Sequence, residues 1–370
     1  MKRIIVSVTN DLVTDQRVHK TCTTLFNNGF DILLIGRKLK NSQPIIRNYN
    51  TLRIKLLFNK GFLFYAEYNL RLFFILLFSK KDILHSNDLD TLLPNFLVSK
   101  FFKKKLVYDS HELFTEVPEL INRPFQQKFW LKIEQFIFPK LKNVYNVNDS
   151  IADIYKLKYN VSVNVIRNIA PILQNIKVDP FLSEKNKGKL KMIILQGSGI
   201  NIERGAEEAV MMMQYIENTI LYFIGSGEVF NDLKKLVKKL NLTDKVFFKS
   251  KMSYPKLMEY TKIADLGLSL DKNTNLNYTL SLPNKIFDYI QAGTPILASN
   301  TKLVSKFIIE NKIGFITDTH NPKKLAEIVQ DIFENKIQYN SWCNNLKVIA
   351  KEYNWENESK KLIEIYNKIE

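Results

Sequence analysis

Short apolar runs alternate with helix-length amphipathic segments along almost the whole chain of 370 residues. This alternation is typical of parallel α/β units, in which each buried strand is followed by a helix that covers the sheet. A first series of apolar runs predicts strands at 3–9, 31–36, 52–58, 82–86, 105–109, 143–147 and 163–167. A second series predicts strands at 191–196, 220–225, 245–249, 265–270, 295–299 and 314–317.

The pattern lapses between the two series, in "NIAPILQNIKVDPFLSEKNKGK". Two prolines and a polar run are typical of a linker. We therefore predict an N-terminal domain at 1–170, a linker at 171–189, a second domain at 190–340 and closing helices at 341–370. The predicted fold class is α/β, with two Rossmann-like doubly wound domains facing an inter-domain cleft.

The positive charge is concentrated in the first half of the chain. The net charge is +17, and residues 1–170 hold 26 Lys and Arg against 14 Asp and Glu. Such a half could face phosphates, nucleic acid or an anionic membrane surface, or the lysines could simply be compositional. Nucleic-acid binding is not expected, because no basic motif interleaved with aromatic residues accompanies the charge.

Residues 61–78, "GFLFYAEYNLRLFFILLF", are the nearest approach to a membrane span. Glu67 and Arg71 interrupt them, so the segment is predicted to be too short and too charged to cross a bilayer. Because the segment lies in the basic first half of the chain, it could dock peripherally on an anionic membrane, or it could simply be a buried helix.

A reducing, cytoplasmic location is predicted from the cysteines and the start of the chain. Cys22 and Cys343 lie far apart without a CxxC spacing, which excludes a disulfide framework. The opening "MKRIIVSV" runs straight into a strand pattern without a signal-peptide cleavage region.

Two glycine-bearing loops follow predicted strands of the second domain. In "LQGSGINIERGAEEAV" the residues of interest are Gly197, Gly199 and Arg204, and in "FIGSGE" they are Gly225 and Gly227. Glycines let backbone N–H groups approach an anion, and an arginine can bind phosphate with two parallel hydrogen bonds. Each loop alone could be an ordinary strand–helix turn, and the GxGxxG dinucleotide fingerprint is not satisfied.

A third stretch, "SLPNKIFDYIQAGTPILAS" at 281–299, predicts a buried helix that feeds a buried strand. We predict Ser281 as its N-cap and Gly293 as its end. Lys285 beside the free N–H groups of a helix start favours an anion site, although the turn could also be plain packing. Since all three stretches follow strands of one domain, together they favour a nucleoside diphosphate.

In the first domain, "VYDSHELFTEVPEL" places Asp109, His111 and Glu112 directly after a strand. His111 could bind substrate or move protons, or it could be structural. The nearby "NDLD" at 87–90 resembles a metal-binding DxD, but a helix follows it and no further acids gather there, so we interpret it as an N-cap. No metal site is predicted.

These motifs resemble the retaining glycosyltransferases of the GT-B group, family 4, over nearly the whole chain. The most specific match is "SLPNKIFDYIQAGTPILAS", which is similar to the family's donor-binding block, with Asp288 in place of the usual glutamate. "ERG" at 203–205 resembles the Lys/Arg-Gly of the family's phosphate loop. The terminal "NWENESKKLIEIYNKI" is similar to a closing helix that crosses back to the first domain.

The resemblance implies roles for individual residues. Arg204 and Lys285 would hold the donor diphosphate, Asp288 the ribose hydroxyls, and His111 the transferred sugar or the acceptor. We therefore expect catalytic roles for His111, Arg204 and Lys285. The remaining donor-binding candidates are Gly197, Gly199, Gly225, Gly227, Ser281, Leu282, Pro283 and Asn284.

Two positions and one loop depart from the family pattern. Leu280 stands where the family has its first acid, and Gly199 stands where an arginine precedes the Lys/Arg-Gly pair. The glycine-rich loop after the first strand is replaced by "TNDLVTDQR". The candidates on the acceptor side are Asn10, Asp11, Arg17 and Glu112.

The resemblance thus implies a retaining transferase that needs no metal or other cofactor. It would move a sugar from a nucleotide-diphosphate sugar to a glycan or lipid-linked acceptor, as in cell-envelope polysaccharide biosynthesis. The alternatives are an epimerase or phosphorylase of the same architecture, and a non-catalytic nucleotide-sugar binding protein, which the departure at Leu280 keeps open.

Overall fold

The computed structural model describes residues 1–13, 15–117, 120, 123–173, 178 and 190–369. The chain divides into two compact units. Unit 1 comprises Met1–Asn168 with Glu358–Glu370, and unit 2 comprises Ile169–Asn357. Most of the predicted linker, 171–189, lies outside the described residues.

Unit 1 is built on one parallel sheet. Its strands are β1 (Arg3–Asp11), β2 (Asp31–Lys38), β3 (Asn50–Lys55), β4 (Ile83–Asn87), β5 (Lys105–Ser110), β6 (Asn143–Asn146) and β7 (Asn164–Val165). Its helices include α1 (Gln16–Asn27), α2 (Gly61–Phe78), α3 (Leu92–Phe101), α4 (Pro124–Ile137) and α5 (Asp149–Tyr159). The strand order is β3-β2-β1-β4-β5-β6-β7, so the winding reverses between β1 and β4.

Unit 2 repeats this plan with six parallel strands. They are β8 (Lys191–Gly197), β9 (Thr219–Gly225), β10 (Val246–Ser250), β11 (Leu266–Ser269), β12 (Ile296–Ser299) and β13 (Gly314–Thr317). The helices include α6 (Ala206–Met212), α7 (Phe230–Lys239), α8 (Tyr254–Ile263), α9 (Leu276–Thr279), α10 (Asn284–Ala292), α11 (Lys302–Asn311), α12 (Pro322–Glu334) and α13 (Lys336–Ile349). The order β10-β9-β8-β11-β12-β13 reverses between β8 and β11.

The prediction of two doubly wound α/β domains is confirmed, because both sheets are parallel and both reverse their winding once. The central strands are buried on both sides since helices cover both faces of each sheet; Ile4, Ile5 and Val6 of β1 are fully buried, and all five residues of β4 are buried. Most strand bounds differ from the predicted ones by one or two residues.

The strand predicted at 52–58 lies earlier in the chain, since β3 spans Asn50–Lys55. The carboxylate of Glu67 on α2 accepts hydrogen bonds from the backbone N–H groups of Leu57 and Phe58, at 2.9 Å in each case. These N–H groups are therefore satisfied outside the sheet, and the chain leaves the sheet before them.

The last helix, α14 (Trp355–Asn367), begins in unit 2, and the residues from Glu358 onward belong to unit 1. Its Tyr366 hydroxyl lies 2.7 Å from Nδ1 of the buried His85, and Lys2 donates to the carbonyl of Ile369 at 3.0 Å. The end of the chain is thus fastened to β4 and to the start of β1.

Candidate functional site

The glycines of the two loops in unit 2 have two different roles. A Cβ on Gly225 (φ +138°) would lie 1.8 Å from the carbonyl oxygen of Gly197, and one on Gly227 would lie 2.0 Å from that of Ile200. These two glycines let the loop after β9 pack against the loop after β8. Gly197 and Gly199 have no neighbour closer than 3.9 Å at the Cβ position, which leaves room above the backbone of that loop.

We expect Gly225→Ala to destabilise unit 2 severely, because the new methyl group overlaps backbone atoms that cannot move independently. Gly293→Ala is the matched control: its φ of +75° makes alanine strained, but nothing lies within 4 Å. That strain alone costs about 1 to 2 kcal/mol. Denaturant unfolding should show a clearly larger loss for Gly225→Ala, and equal losses would mean that the two loops are not packed in this way.

The two predicted cations of unit 2 meet at one buried carboxylate. Arg204, in the loop between β8 and α6, lies 3.2 Å from Oδ1 of Asp271, and Lys285 Nζ on α10 lies 3.6 Å from Oδ2. Asp271 follows β11, where it is almost fully buried. Since the winding reverses between β8 and β11, this cluster lies at the point where doubly wound sheets bind ligands.

Other contacts fix the orientation of this cluster. The Arg204 guanidinium lies 4.5 Å above the centre of the Tyr278 ring, and Ser269 donates to Asp271 at 3.3 Å. Burial lowers the pKa of Lys285, the Asp271 carboxylate opposes this shift, and Arg204 adds to it. The cluster therefore holds two cationic side chains against one buried carboxylate.

Asp288 lies three residues after Lys285, where side chains share a helix face. Its Oδ1 accepts from the hydroxyl of Tyr254 at 2.8 Å, and its Oδ2 accepts from Gln196 at 3.0 Å. Thr261 in turn donates to Gln196 at 2.6 Å. Together these contacts fix the orientation of the Asp288 carboxylate.

The start of α10 differs from the prediction. The N-cap is Pro283 rather than Ser281, whose hydroxyl instead donates to the carbonyl of Tyr278 at 3.2 Å. Because proline holds an extended conformation (φ −62°, ψ 141°), it starts the helix without a capping side chain. Asn284 is exposed as the first helical residue, while Leu282 packs against the core. The predicted end at Gly293 (φ +75°) is confirmed.

In unit 1 the predicted histidine lies between two carboxylates. His111, just after β5, has Nδ1 3.0 Å from Asp88 and Nε2 3.1 Å from Asp109, and its backbone N–H donates to Asp88 at 2.8 Å. Burial opposes a charge on the ring, but the two carboxylates outweigh it and raise the pKa of His111 well above its ordinary value. The two carboxylates therefore favour the charged form of the ring and hold it in place.

Arg17, predicted on the acceptor side, is buried in a bidentate ion pair. Its Nε and Nη2 donate to the two oxygens of Asp109 at 2.9 and 2.6 Å, and Nη1 donates to the carbonyl of Ile166. Burial raises the pKa of Asp109, but Arg17 and His111 outweigh it and hold that pKa below its usual range. In this arrangement Arg17 positions Asp109, and through Asp109 it positions His111.

The interpretation of "NDLD" as an N-cap is correct in position only: Asp88 is the N-cap residue of the 3-10 turn Leu89–Thr91, but no side-chain cap is formed there or at α3. Asp88 turns instead to His111, with its backbone at φ 56°. Asp90 is buried and accepts from Thr9 at 2.5 Å. Burial, together with the charge of Asp88, raises the pKa of Asp90 to about 7.

We expect the imidazole of His111 to stay protonated at pH 7. Its raised pKa stabilises the folded state below the unfolded value of about 6.5, and this contribution is lost as the pH rises through the folded value. Asp88→Asn should lower the pKa of His111, and asparagine tolerates the positive φ. Ring NMR signals test this, with His85 as the contrast, since burial lowers its pKa to about 4. A pKa at or below 6.5 for His111 would contradict this arrangement.

The other candidates on the acceptor side are engaged by nearby side chains at the end of β1 or are exposed. Asn10 donates to Asp15 at 3.0 Å, and Asp11 accepts from Ser42 and pairs with Arg53 at 3.6 Å. The side chain of Glu112 is exposed, and its carbonyl accepts from Ser110.

Sequence reasoning did not identify Asp271, and it assigned Asp88 to a helix cap rather than to His111. Asp271 and Asp88 each follow a buried strand, and that position was the available signal for both. No such signal marks the residues that contact Asp288 and Arg204. Tyr254 and Gln196 reach Asp288, and Tyr278 reaches Arg204, only when separate elements fold together. Among the described residues, no group of three or more His, Cys, Asp or Glu could hold a metal ion.

Residues 181–353 match the family model "Glycosyl transferases group 1". The chain is 21% identical over 151 residues to D-inositol 3-phosphate glycosyltransferase of Paenarthrobacter aurescens (strain TC1). The match covers 41% of this chain and 35% of the relative, so it spans about a third of the relative's length.

Solved structures match along the whole chain. Sucrose-phosphate synthase from Thermosynechococcus elongatus has a TM-score of 0.81 at 16% identity, covering 100% of this chain and 99% of that one. Anabaena HepE in complex with UDP-glucose has a TM-score of 0.75 at 13% identity, covering 99% and 100%. A putative UDP-N-acetylglucosamine 2-epimerase from Listeria monocytogenes has a TM-score of 0.63 at 12% identity, covering 98% and 95%. The fold is GT-B, and the predicted resemblance to the group 1 glycosyltransferases is confirmed.

Proposed function

We propose that this chain, whose residues 181–353 match the glycosyl transferases group 1 model on a GT-B fold, is a retaining glycosyltransferase. It would move a sugar from a nucleotide-diphosphate sugar to a glycan or lipid-linked acceptor, without a metal ion. The observation that carries the proposal is the meeting of Arg204 and Lys285 at Asp271, where the winding of unit 2 reverses.

The charges of the reaction support these roles. Breaking the anomeric bond leaves positive charge on the sugar ring and additional negative charge on the departing diphosphate. Arg204 and Lys285 would stabilise that negative charge, helped by the N-terminus of α10. Both side chains are already oriented by Asp271, so little reorganisation accompanies the reaction.

The neighbouring residues would bind the rest of the donor. Asp288 would accept hydrogen bonds from the ribose hydroxyls. The open backbone at Gly197 and Gly199 would let the diphosphate approach the loop after β8. His111 would bind the transferred sugar or the acceptor as a hydrogen-bond donor, exchanging a carboxylate partner for a hydroxyl group.

A thermal-shift panel of UDP-, GDP- and ADP-sugars tests the donor class. A ligand at 100 times its dissociation constant adds about 2.7 kcal/mol of stability, so the correct nucleotide should raise the melting temperature and a transfer assay with that donor should release its nucleoside diphosphate. No shift with any nucleotide sugar would contradict the proposal.

Transfer is expected to persist in excess EDTA. The two cations and the helix N-terminus supply the positive charge that a divalent ion supplies in metal-dependent transferases. Initial rates with and without the chelator are the measurement, and NMR of the product's anomeric proton shows whether the configuration is retained. Loss of activity in EDTA that returns with Mn²⁺ or Mg²⁺ would overturn the metal-free mechanism.

We further propose a cytoplasmic location, with peripheral contact to an anionic membrane at the inner face of the plasma membrane. Such contact would bring the enzyme to a lipid-linked acceptor. The basic composition of the first half supports this, because an anionic leaflet attracts Lys and Arg side chains.

A nucleotide-sugar epimerase is the second candidate, because a putative UDP-N-acetylglucosamine 2-epimerase shares the fold over nearly the whole chain. The two reactions differ in what they need: an epimerase converts its nucleotide sugar alone, whereas a transferase requires an acceptor. Incubation of the donor with and without acceptor, followed by product analysis, separates them. Binding without any product would instead favour a sensor, in line with the buried Leu280 at the family's acidic position.

A further inference from the structure

Helix α2 is apolar on two opposite sides. Phe64, Tyr68, Leu72 and Leu76, four residues apart, pack into unit 1. By length and composition alone, α2 is long and apolar enough to cross a membrane, contrary to the prediction from the sequence. Only 22% of its 18-residue window is buried inside the protein, so most of the helix is not covered by unit 1.

The outer side of α2 repeats the same spacing with exposed side chains. Phe62, Leu70, Phe74 and Phe78 lie on it, and 60% of Leu70 and 82% of Phe78 is exposed to solvent. The surface helix of a soluble protein normally carries polar residues there. These side chains leave apolar surface exposed to solvent, and a contiguous apolar patch of this kind points to a partner outside the chain.

The same face continues over α3 and α4. The connections that contain α2, α3 and α4 run in the same direction across the sheet, and right-handed crossovers place their helices on the same side. The Phe62 ring lies 5.5 Å from that of Phe129 on α4, and Phe96 on α3 lies 6.1 Å from Phe136 on α4. Phe101 and Phe125 extend the exposed apolar surface, each about three-quarters exposed.

The charge around these apolar side chains is predominantly positive. Residues 60–80, 92–105 and 123–142 carry 12 Lys and Arg against two acids. Both acids are engaged within unit 1, since Glu67 binds Arg71 at 2.8 Å and Glu134 binds Lys158 at 2.8 Å. A second copy of this cationic face would be repelled in a two-fold dimer, whereas an anionic surface would be attracted.

We propose that the outer face of α2, α3 and α4 docks unit 1 on an anionic lipid bilayer. Phenylalanine and leucine side chains enter the acyl boundary, and the lysines bind lipid phosphates. Lys140 illustrates the arrangement, since its ammonium lies 3.3 Å from the centre of the Phe136 ring, so that its stem covers apolar surface. This deepens the membrane contact of the proposed function by naming its surface.

Vesicle flotation at about 0.15 M salt tests the surface. The wild-type chain should float with phosphatidylcholine–phosphatidylglycerol vesicles and not with phosphatidylcholine alone. Each lysine near an anionic surface changes partitioning by about fivefold, so Lys128→Glu with Lys132→Glu should weaken binding by about 25-fold or more. Phe74→Ser with Phe78→Ser removes apolar side chains from the same face and should abolish flotation.

Matched controls lie in unit 2. Ile309→Ser with Ile337→Ser removes apolar side chains that are at least as exposed as Phe74 and Phe78, and Lys323→Glu with Lys324→Glu reverses the same charge; both should float like the wild type. Equal binding to neutral and anionic vesicles, no flotation of the wild type, or flotation of all variants overturns the proposal. The proposal is also overturned if the chain self-associates at any salt concentration and Phe74→Ser with Phe78→Ser abolishes that association, because a second copy of the chain would then cover this face.

Flotation needs no donor, and nucleotide binding needs no vesicle. The unit 1 variants should therefore keep the thermal shift given by the nucleotide sugar, which also shows that they are folded. Loss of vesicle binding with an intact shift separates this surface from the donor site. If the wild type floats but no nucleotide sugar binds, the proposed transferase function fails and the docking surface stands.

Discussion

Replacing Lys285 by alanine is expected to slow sugar transfer by about 100- to 1000-fold, the effect of removing one preorganised donor from a site where negative charge develops. Lys285 lies in the first turn of α10 and is 9% exposed. Its charge therefore acts in a medium where little water screens it from the departing diphosphate.

The variant should remain folded, because Asp271 keeps Arg204 as a partner at 3.2 Å. Lys235→Ala on α7 is the control: that lysine is 79% exposed and pairs only weakly with Asp232 on the surface, so its loss should leave the rate unchanged. The measurement is kcat at saturating donor, with the melting temperature of each variant as a check on folding. A kcat within about threefold of the wild type would remove Lys285 from the catalytic machinery.

The second large effect is expected on stability. Arg17→Met should lower the free energy of unfolding by about 3 to 5 kcal/mol, because it leaves the charge of Asp109 buried without its bidentate partner. Lys104→Met is the control, since its pair with Asp82 is 3.5 Å long and well exposed. Such surface pairs contribute about 1 kcal/mol or less.

The pH dependence gives an independent check on the ion pair. The depressed pKa of Asp109 stabilises the wild type above the unfolded value of about 3.9, and this contribution is lost as the pH falls through the folded value. In Arg17→Met, burial favours the protonated acid, so the gap between variant and wild type should narrow as the pH falls. Urea unfolding at several pH values measures this, and a loss no larger than that of Lys104→Met would contradict the account.

The strands and helices of both units could be predicted from the sequence because each of them has a local pattern of apolar residues. Buried parallel strands are continuous apolar runs, and β1 with its buried Ile4 to Val6 is such a run. Local signals failed where a distant group decides the outcome. The end of β3 depends on Glu67, and the start of α10 depends on the extended Pro283 rather than on Ser281.

The candidate sites were predictable only in part, for the same reason. Arg204 and Lys285 could be found from loops that follow strands, but their common partner Asp271 depends on β8 and β11 being neighbours in the sheet. Arg17 was expected near the acceptor because it follows the first strand. Its burial against Asp109 depends on packing between α1 and β5, which lie 92 residues apart in the chain.

The most direct test of the central claim is a calorimetric titration of UDP, GDP and ADP into the wild-type chain and into folded Lys285→Ala and Asp288→Asn. The account predicts that the wild type binds one of these nucleoside diphosphates and that both variants bind it more weakly. For Asp288→Asn the expected loss is about 1 to 3 kcal/mol, the range for a hydrogen bond to a charged group. Unchanged affinity in both folded variants would mean that the start of α10 is only part of the core and that the diphosphate is not held there.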